Sequence, residues 1–274
     1  MPRTILPGFR LAMGCTLLYV GVIVLLPLAA LVWQAADLGW ARFVTVVTGD
    51  RALAAFRVTV FSALGATAIN AVFGLALAWA LVRYDFPGKR LLDALVDVPF
   101  ALPTAVAGVA LTALFAGNGW YGQFLEPLGI KVAYAPLGIV AAMTFTSLPF
   151  VVRSVQPVLE DLTADVEEAA ETLGAGQARI FARVIFPAIF PAFLAGCSLA
   201  FARSLGEFGA VIFIAGNQPF RTEIAALLVF IRLEEYDYPA AAAIASVMLG
   251  AAFLMLLVVN AIQLWSLRWT RTAS

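Results

Sequence analysis

An all-α protein that threads a bilayer several times is the fold class this chain predicts, and three observations carry it. Of its 274 residues, 63% are hydrophobic and 12% charged. A soluble domain carries about 25% charged residues, so this chain has too little polar surface to cover itself in water. Six uncharged stretches approach or exceed the roughly 20 residues that a helix needs to cross a hydrocarbon layer. The charged residues gather in short segments between those stretches, and one such segment is acidic and alanine-rich.

The uncharged runs are 11–36, 58–82, 98–125, 132–152, 184–202 and 238–267, which predicts six transmembrane helices. The first follows Arg3 and Arg10, as a signal peptide would. Its apolar stretch exceeds the 7–15 residues of a signal h-region, so it reads as a retained anchor. The run 208–220 has only 13 residues and predicts a re-entrant or interfacial segment. Prolines recur at Pro27, Pro99, Pro103, Pro136, Pro149, Pro187 and Pro191. Interior prolines break a backbone hydrogen bond and bend the helix, which predicts helix starts and bundle-shaping kinks, or hinges beside a path. The chain divides into an N-terminal segment with the first helix (1–57), a core (58–264) containing the loop 160–187, and a tail (265–274).

Six spans put both termini on one side. With the termini in the cytoplasm, Arg3, Arg10, Arg83, Lys89, Arg90, Arg153, Arg179, Arg183, Arg268 and Arg271 lie inside. Arg42, Arg51, Arg57, Lys131, Arg221 and Arg232 lie outside. Ten against six is a modest positive-inside bias. A formal net charge of zero gives no electrostatic basis for a nucleic-acid partner. There is no histidine, and Cys15 and Cys197 sit far apart in apolar runs, which predicts buried, inert thiols. With no evident nucleophile–base pair or clustered carboxylates at membrane depth, a membrane-embedded enzyme is not predicted. No G-x-x-x-x-G-K-[ST] pattern occurs, and Gly88–Lys89 lies in a Pro-Gly-Lys-Arg turn, so the chain is expected to hold no nucleotide itself.

Residues 160–187 read EDLTADVEEAAETLGAGQARIFARVIFP. Asp165 and Glu168 have the spacing of an N-cap and its third helical residue. The acids Asp165, Glu167 and Glu168 suit the positive end of a helix dipole. Ala169 and Ala170 favour helix and keep a low profile, and Gly174 is placed to end the helix in a left-handed conformation. Helix is expected to resume near Gly176 and to run through Arg179 and Arg183 into the fifth span. A short helix, a glycine corner and a second helix suit docking better than mere connection.

This stretch resembles the EAA loop of ABC-importer permeases. That pattern is E-A-A, three residues, glycine, nine residues, then an apolar pair before proline. The matching positions are Glu168, Ala169, Ala170 and Gly174, then Val184, Phe186 and Pro187; the family usually has Leu where Phe186 stands. The resemblance implies the type I ABC importer permease fold. It also implies that Glu168, Ala169, Ala170 and Gly174 couple the chain to a separate cytoplasmic ATPase. ATP-Mg would be held there, and no cofactor by this chain.

The segments 83–111, 146–162, 201–217 and 235–249 resemble the sulfate/thiosulfate permeases of the bacterial inner membrane. Of that family's two homologous membrane subunits, the likeness is to the one designated T or U. The element Arg203-Ser204-Leu205-Gly206-Glu207-Phe208-Gly209 is shared with molybdate permeases. The resemblance implies a second homologous permease subunit in a heterodimer, two ATPase subunits and a periplasmic sulfate-binding protein. Alternatives are a molybdate or tungstate permease acting as a homodimer, and an ion-coupled carrier with Glu207 as its one candidate intramembrane acid. Arg203 and Glu207 are four apart, the spacing of one helix face. They form either a structural ion pair or a place where Arg203 meets a passing dianion. Bringing two negative charges into a cell at about 100 mV costs roughly 4–5 kcal/mol, so accumulation needs an energy source.

Overall fold

The computed structural model describes residues 9–271, with side chains at 164 and 262–271 outside the description. Arg3, residues 272–274 of the expected tail and the side chains of Arg268 and Arg271 therefore lie outside the described part. Among the described residues every regular element is helical. Five helices are each long and apolar enough to cross a membrane. They are α1 (Phe9–Ala36), α3 (Asp50–Arg83), α6 (Pro136–Asp161), α8 (Gln177–Leu205) and α11 (Tyr238–Arg271). Between them lie α2 (Gly39–Thr48), α4 (Lys89–Ala101), α5 (Thr104–Phe115), α7 (Ala164–Thr172), α9 (Gly209–Ile214) and α10 (Ala225–Glu234).

Helix α6 is the hub, with α3 and α8 packed along it. Glycines let the backbones close, as small residues do between membrane helices. A Cβ added at Gly74 of α3 would meet Val151 Cβ at 2.9 Å, and one at Gly196 of α8 would meet Val151 Cα at 2.9 Å. Apolar residues fill the bundle in two main clusters. One contains Ala66, Ile139, Met143, Ile214 and Leu227, and the other Leu81, Val155, Leu159, Ile180 and Ile189. A buried polar trio also joins the three helices. Asn70 Nδ2 donates to Ser147 Oγ at 2.8 Å and to the Thr144 carbonyl at 3.1 Å, and Ser204 Oγ donates to Ser147 Oγ at 3.2 Å. Asn70 and Ser147 thus bond directly across α3 and α6. Ser198 instead turns back on the Leu194 carbonyl of its own helix at 2.5 Å.

Prolines explain the irregular turns. Wider π-helical turns occur at Val20–Leu25 and Phe181–Ile185, just upstream of Pro27 and Pro187. A proline ring collides with the carbonyl four residues back and donates no hydrogen bond. Here those carbonyls belong to Ile23 and Arg183, inside the widened turns, so the chain continues without breaking.

The third predicted span, 98–125, is not one helix. Leu102 adopts an extended conformation (φ −83°, ψ 129°) before Pro103, as steric pressure from a following proline favours. The axes of α4 and α5 differ by 114°. Beyond α5, Ala116 is extended and the chain turns through Gly117, Gly119 and Gly122. A Cβ at Gly119 would lie 2.2 Å from the Ala113 carbonyl oxygen, and one at Gly122 1.8 Å from that of Ala116. With the bent pair taken as one crossing the count is six, and otherwise five. The run 208–220 is too short to span, as expected, and its α9 packs on α5. Cys15 is exposed and Cys197 half-buried, which corrects the expectation of two buried thiols. Each sits on a helix face that the core clusters do not cover.

Helices α5 and α9 touch backbone to backbone, because a Cβ at Gly108 would lie 2.4 Å from the Ala210 carbonyl oxygen and 2.8 Å from its Cα. Gly108→Val should force them apart and destabilise the detergent-solubilised protein by about 1–3 kcal/mol. A lowered thermal midpoint would register this, and an unchanged midpoint would show that the two helices can separate freely.

Candidate functional site

The loop between α6 and α8 folds as a short helix closed by a glycine corner. Thr163 is extended (φ −71°, ψ 143°) and caps α7 without a side-chain bond. Asp165 is therefore the second helical residue, and the predicted capping box of Asp165 with Glu168 does not form. The helix starts two residues earlier than that box requires, which leaves Asp165 and Glu167 in the first turn, where the dipole favours acids. The far end follows expectation. Gly174 has φ +80°, its N–H bonds to the Glu171 carbonyl at 2.8 Å, and the Ala175 N–H bonds to the Ala170 carbonyl at 3.1 Å. These are the two bonds of a Schellman motif. Extended Gly176 then caps the helical segment that starts at Gln177.

The helix presents two faces. Ala170 and Ala175 pack toward the apolar cluster of Leu81, Leu159 and Ile180. Glu167 forms an ion pair with Arg83 at the end of α3, and the Arg83 guanidinium carbon lies 5.3 Å from the centre of the Trp79 ring. Outward point Asp165, Glu168, Ala169 and Thr172, with Val166 50% and Leu173 88% exposed. An apolar side chain as bare as Leu173, beside small alanines, marks a surface shaped for contact. Of the four predicted coupling residues, Glu168, Ala169 and Gly174 are exposed and Ala170 is half-buried. Sequence reasoning missed Arg83 and Glu167 as partners, and Leu173 as the most exposed large apolar side chain of the loop.

At the other end of α8, Arg203 and Glu207 do meet. Arg203 Nη1 lies 2.5 Å from Glu207 Oε2, yet Oε2 receives no aligned hydrogen bond. The two are not on one helix face as the spacing suggested, because α8 ends at Leu205 and Glu207 lies beyond it. Glu207 Oε1 accepts the Ala210 N–H at 2.9 Å, so the carboxylate also braces the start of α9. Glu207 is 1% exposed and Arg203 31%. A guanidinium at membrane depth does not sit bare in lipid and turns to protein or a wet cavity. A second pair ties the loop before α10 to α3. Arg51 Nε and Nη2 donate to both oxygens of buried Glu223 at 2.9 and 2.7 Å. No sequence signal joins residues 172 positions apart.

The ion pairs sort by helix end. Arg83–Glu167, Lys89–Asp85 and Arg153 with Asp93 and Asp97 unite residues assigned to the side of the α7 loop. Arg42–Asp237, Arg51–Glu223 and Arg232–Glu235 unite residues assigned to the opposite side.

Residues 70–272 match the family described as binding-protein-dependent transport system inner membrane component. The chain is 57% identical over 261 residues to the sulfate transport system permease protein CysT of Salmonella typhimurium, and equally so to that of Escherichia coli. Each match covers 95% of this chain and 94% of the relative. With the protein of the same name from Synechocystis the identity is 48% over 254 residues, covering 93% and 89%. Among solved structures it is similar to a chain of a bacterial alginate ABC transporter in complex with an alginate pentasaccharide-bound periplasmic protein. The TM-score there is 0.74 at 16% identity, covering 93% of both chains. A chain of the MetNI methionine ABC transporter in inward-facing form gives 0.58 at 15% identity, covering 81% and 95%. At those identities the structures speak for the fold alone.

Arg83→Gln should loosen α7 by removing the Glu167 partner and the Trp79 contact, a loss of about 1 kcal/mol. Amide hydrogen exchange across 164–176 should quicken roughly fivefold while α3 and α6 keep their protection. Unchanged exchange in the loop would show that the pair does not hold it.

Proposed function

The chain belongs to the family of binding-protein-dependent transport system inner membrane components, and from that premise we propose that it is the membrane permease of an ATP-driven sulfate importer. It is a multi-pass inner-membrane protein. The observation that carries the substrate class is 57% identity along 95% of the chain with sulfate permeases. Thiosulfate, with the same charge and a tetrahedral shape, belongs to the same reading.

The partners are an ATPase and an external binding protein. In the finer reading there are two ATPase subunits, which hold ATP-Mg, and a second, homologous permease that completes a heterodimer. This chain holds no cofactor of its own. Glu168, Ala169, Ala170 and Gly174 form the ATPase contact, with Leu173 as its apolar centre. The geometry supports a mechanical role. Helix α7 follows α6 closely, leads through the glycine corner into α8, and is gripped by Arg83 of α3. Those three long helices are the ones packed on one another, so a force on α7 reaches them as a block. Helix α8 then carries the displacement about 40 Å to Arg203.

Arg203 is the proposed anion contact. Its link to Glu207 is a close charge contact without an aligned hydrogen bond, so the guanidinium keeps donors for a dianion, while Glu207 stays fixed by the Ala210 N–H. A homodimeric molybdate permease draws no support from the sulfate-permease relatives. The carrier reading loses its one candidate acid, since Glu207 is ion-paired and hydrogen-bonded rather than free to shuttle protons.

Tagged protein extracted from its host in mild detergent should co-purify with an ATPase and a second, related permease. An ATPase with this permease alone would replace the heterodimer with a homodimer, and absence of any ATPase would overturn the coupling role of α7. Arg203→Gln together with Glu207→Gln avoids leaving a buried carboxylate unpaired. That pair of changes should leave assembly intact and lower sulfate uptake at least about tenfold, equivalent to about 1.4 kcal/mol. Assembly with full uptake would make the ion pair structural only.

A further inference from the structure

Helix α4 packs on the side of the bundle with one face left open. Helix α5 has 12 residues and spans about 18 Å, against roughly 30 Å of hydrocarbon. The 114° bend leaves α4 within about 25° of perpendicular to α5. Where α5 follows the bundle, α4 therefore runs nearly in the plane of the membrane.

Its side chains divide by helical phase. Leu92 and Val96 turn inward to the cluster of Leu81 and Val155. Lys89, Arg90, Asp93 and Asp97 lie together on another side. There Arg153 of α6 clamps the helix. Its Nε and Nη2 donate to the two oxygens of Asp97 at 2.8 and 2.7 Å, and its Nη1 donates to Asp93 Oδ1 at 2.5 Å. A polar cavity of about 450 Å³ opens on this side, lined by Lys89, Arg90, Asp93, Gln156 and Glu160 among others. Leu91 and Leu95 lie nearly opposite the charges, 66% and 52% exposed, and Phe100 farther along is 54% exposed.

We infer that α4 is an interfacial arm lying in the headgroup layer of the phospholipid leaflet on the side of the docking loop. Leu91 and Leu95 rest in the acyl boundary, and the charged side faces water. Amphipathic in-plane helices bind bilayers in this way, with an apolar face sunk into the boundary and a polar face above it. Two features favour lipid over a protein partner. The leucines are continuous along the chain with α5, which enters the membrane directly. The arm is also tied to Arg153 of α6, where the uncharged run 132–152 of that helix has just ended, and follows closely on Arg83 at the end of α3. Arg153 fixes the arm to the hub helix, so the bundle is referenced to the membrane plane near its mobile end.

The inference rests on the membrane placement of the chain and not on its substrate. It is tested in the complete transporter reconstituted in nanodiscs of phosphatidylethanolamine and phosphatidylglycerol. Cys15→Ser and Cys197→Ser remove the two thiols of this chain, with sulfate uptake of that variant checked first in cells and the partner subunits kept from the label by a control without an added cysteine. Nitroxides are then attached at Leu91→Cys, Leu95→Cys and Arg90→Cys, one at a time. Collision with oxygen, which concentrates in lipid, should exceed collision with a water-soluble nickel chelate several-fold at 91 and 95, and the ratio should reverse at 90. Nickel-accessible labels at all three sites would place the arm in water. Labels at 91 and 95 shielded from both agents would place a protein partner over the leucines. Either result overturns the interfacial arm and leaves the transport reading untouched.

Discussion

Hydrocarbon offers no hydrogen-bond partner to an unpaired peptide group, and this constraint shapes each irregularity of the protein. At Pro27 and Pro187 the helix widens into a π turn just upstream instead of breaking, while Pro149, Pro157 and Pro191 are carried inside continuous α-helix. Where it does break, at Leu102–Pro103, the start of α9 lies against the start of α5, since a Cβ at Gly209 would meet Thr104 Oγ1 at 2.2 Å. Among the polar side chains at depth, Asn70, Ser147 and Ser204 are buried and find one another across three helices, while Asn70 Oδ1 and Thr144 Oγ1 receive no donor.

The docking loop meets a different requirement, since it must be firm on one side and available on the other. Its glycine corner closes the last carbonyls of α7 without a long connection. The Arg83–Glu167 pair and the packing of Ala170 hold the inner face, leaving Leu173 and Glu168 free. A loop built this way suits the proposed coupling role, because its inner face is tied to α3 and to the apolar cluster while its outer face stays open. At the far end of α8 the balance is reversed. Arg203 is held by charge contact alone, whereas Glu207 is fixed by a backbone donor, so the cation is the member of the pair that can exchange partners.

Much of this was legible in the amino-acid order. The apolar runs located the long helices, and Gly174 announced its left-handed turn. The meeting of Arg203 with Glu207 followed from their spacing. The bend within the third span was not legible, because an uncharged stretch looks the same whether it runs straight or turns through 114°. Pro103 was visible, but its consequence depends on α9 being present to cover the break. Between Glu167 and Glu168, composition gives no preference. Which of them turns inward is set by the phase of α7 against Arg83, a tertiary fact. The same holds for Arg51 and Glu223, whose partnership exists only once α3 and the loop before α10 are side by side.

Val151 sits in a slot whose two walls are glycines from different helices, Gly74 on one flank and Gly196 on the other. The two walls differ in what they accept. A side chain gained at 74 presses on the Val151 side chain, so that position is tied to the choice of residue at 151. One gained at 196 meets the backbone of α6 itself, at Val151 Cα and the Phe150 carbonyl oxygen, and no smaller residue at 151 makes room for it. Position 196 is therefore closed to any side chain as long as α8 lies against α6, whatever the rest of the core becomes.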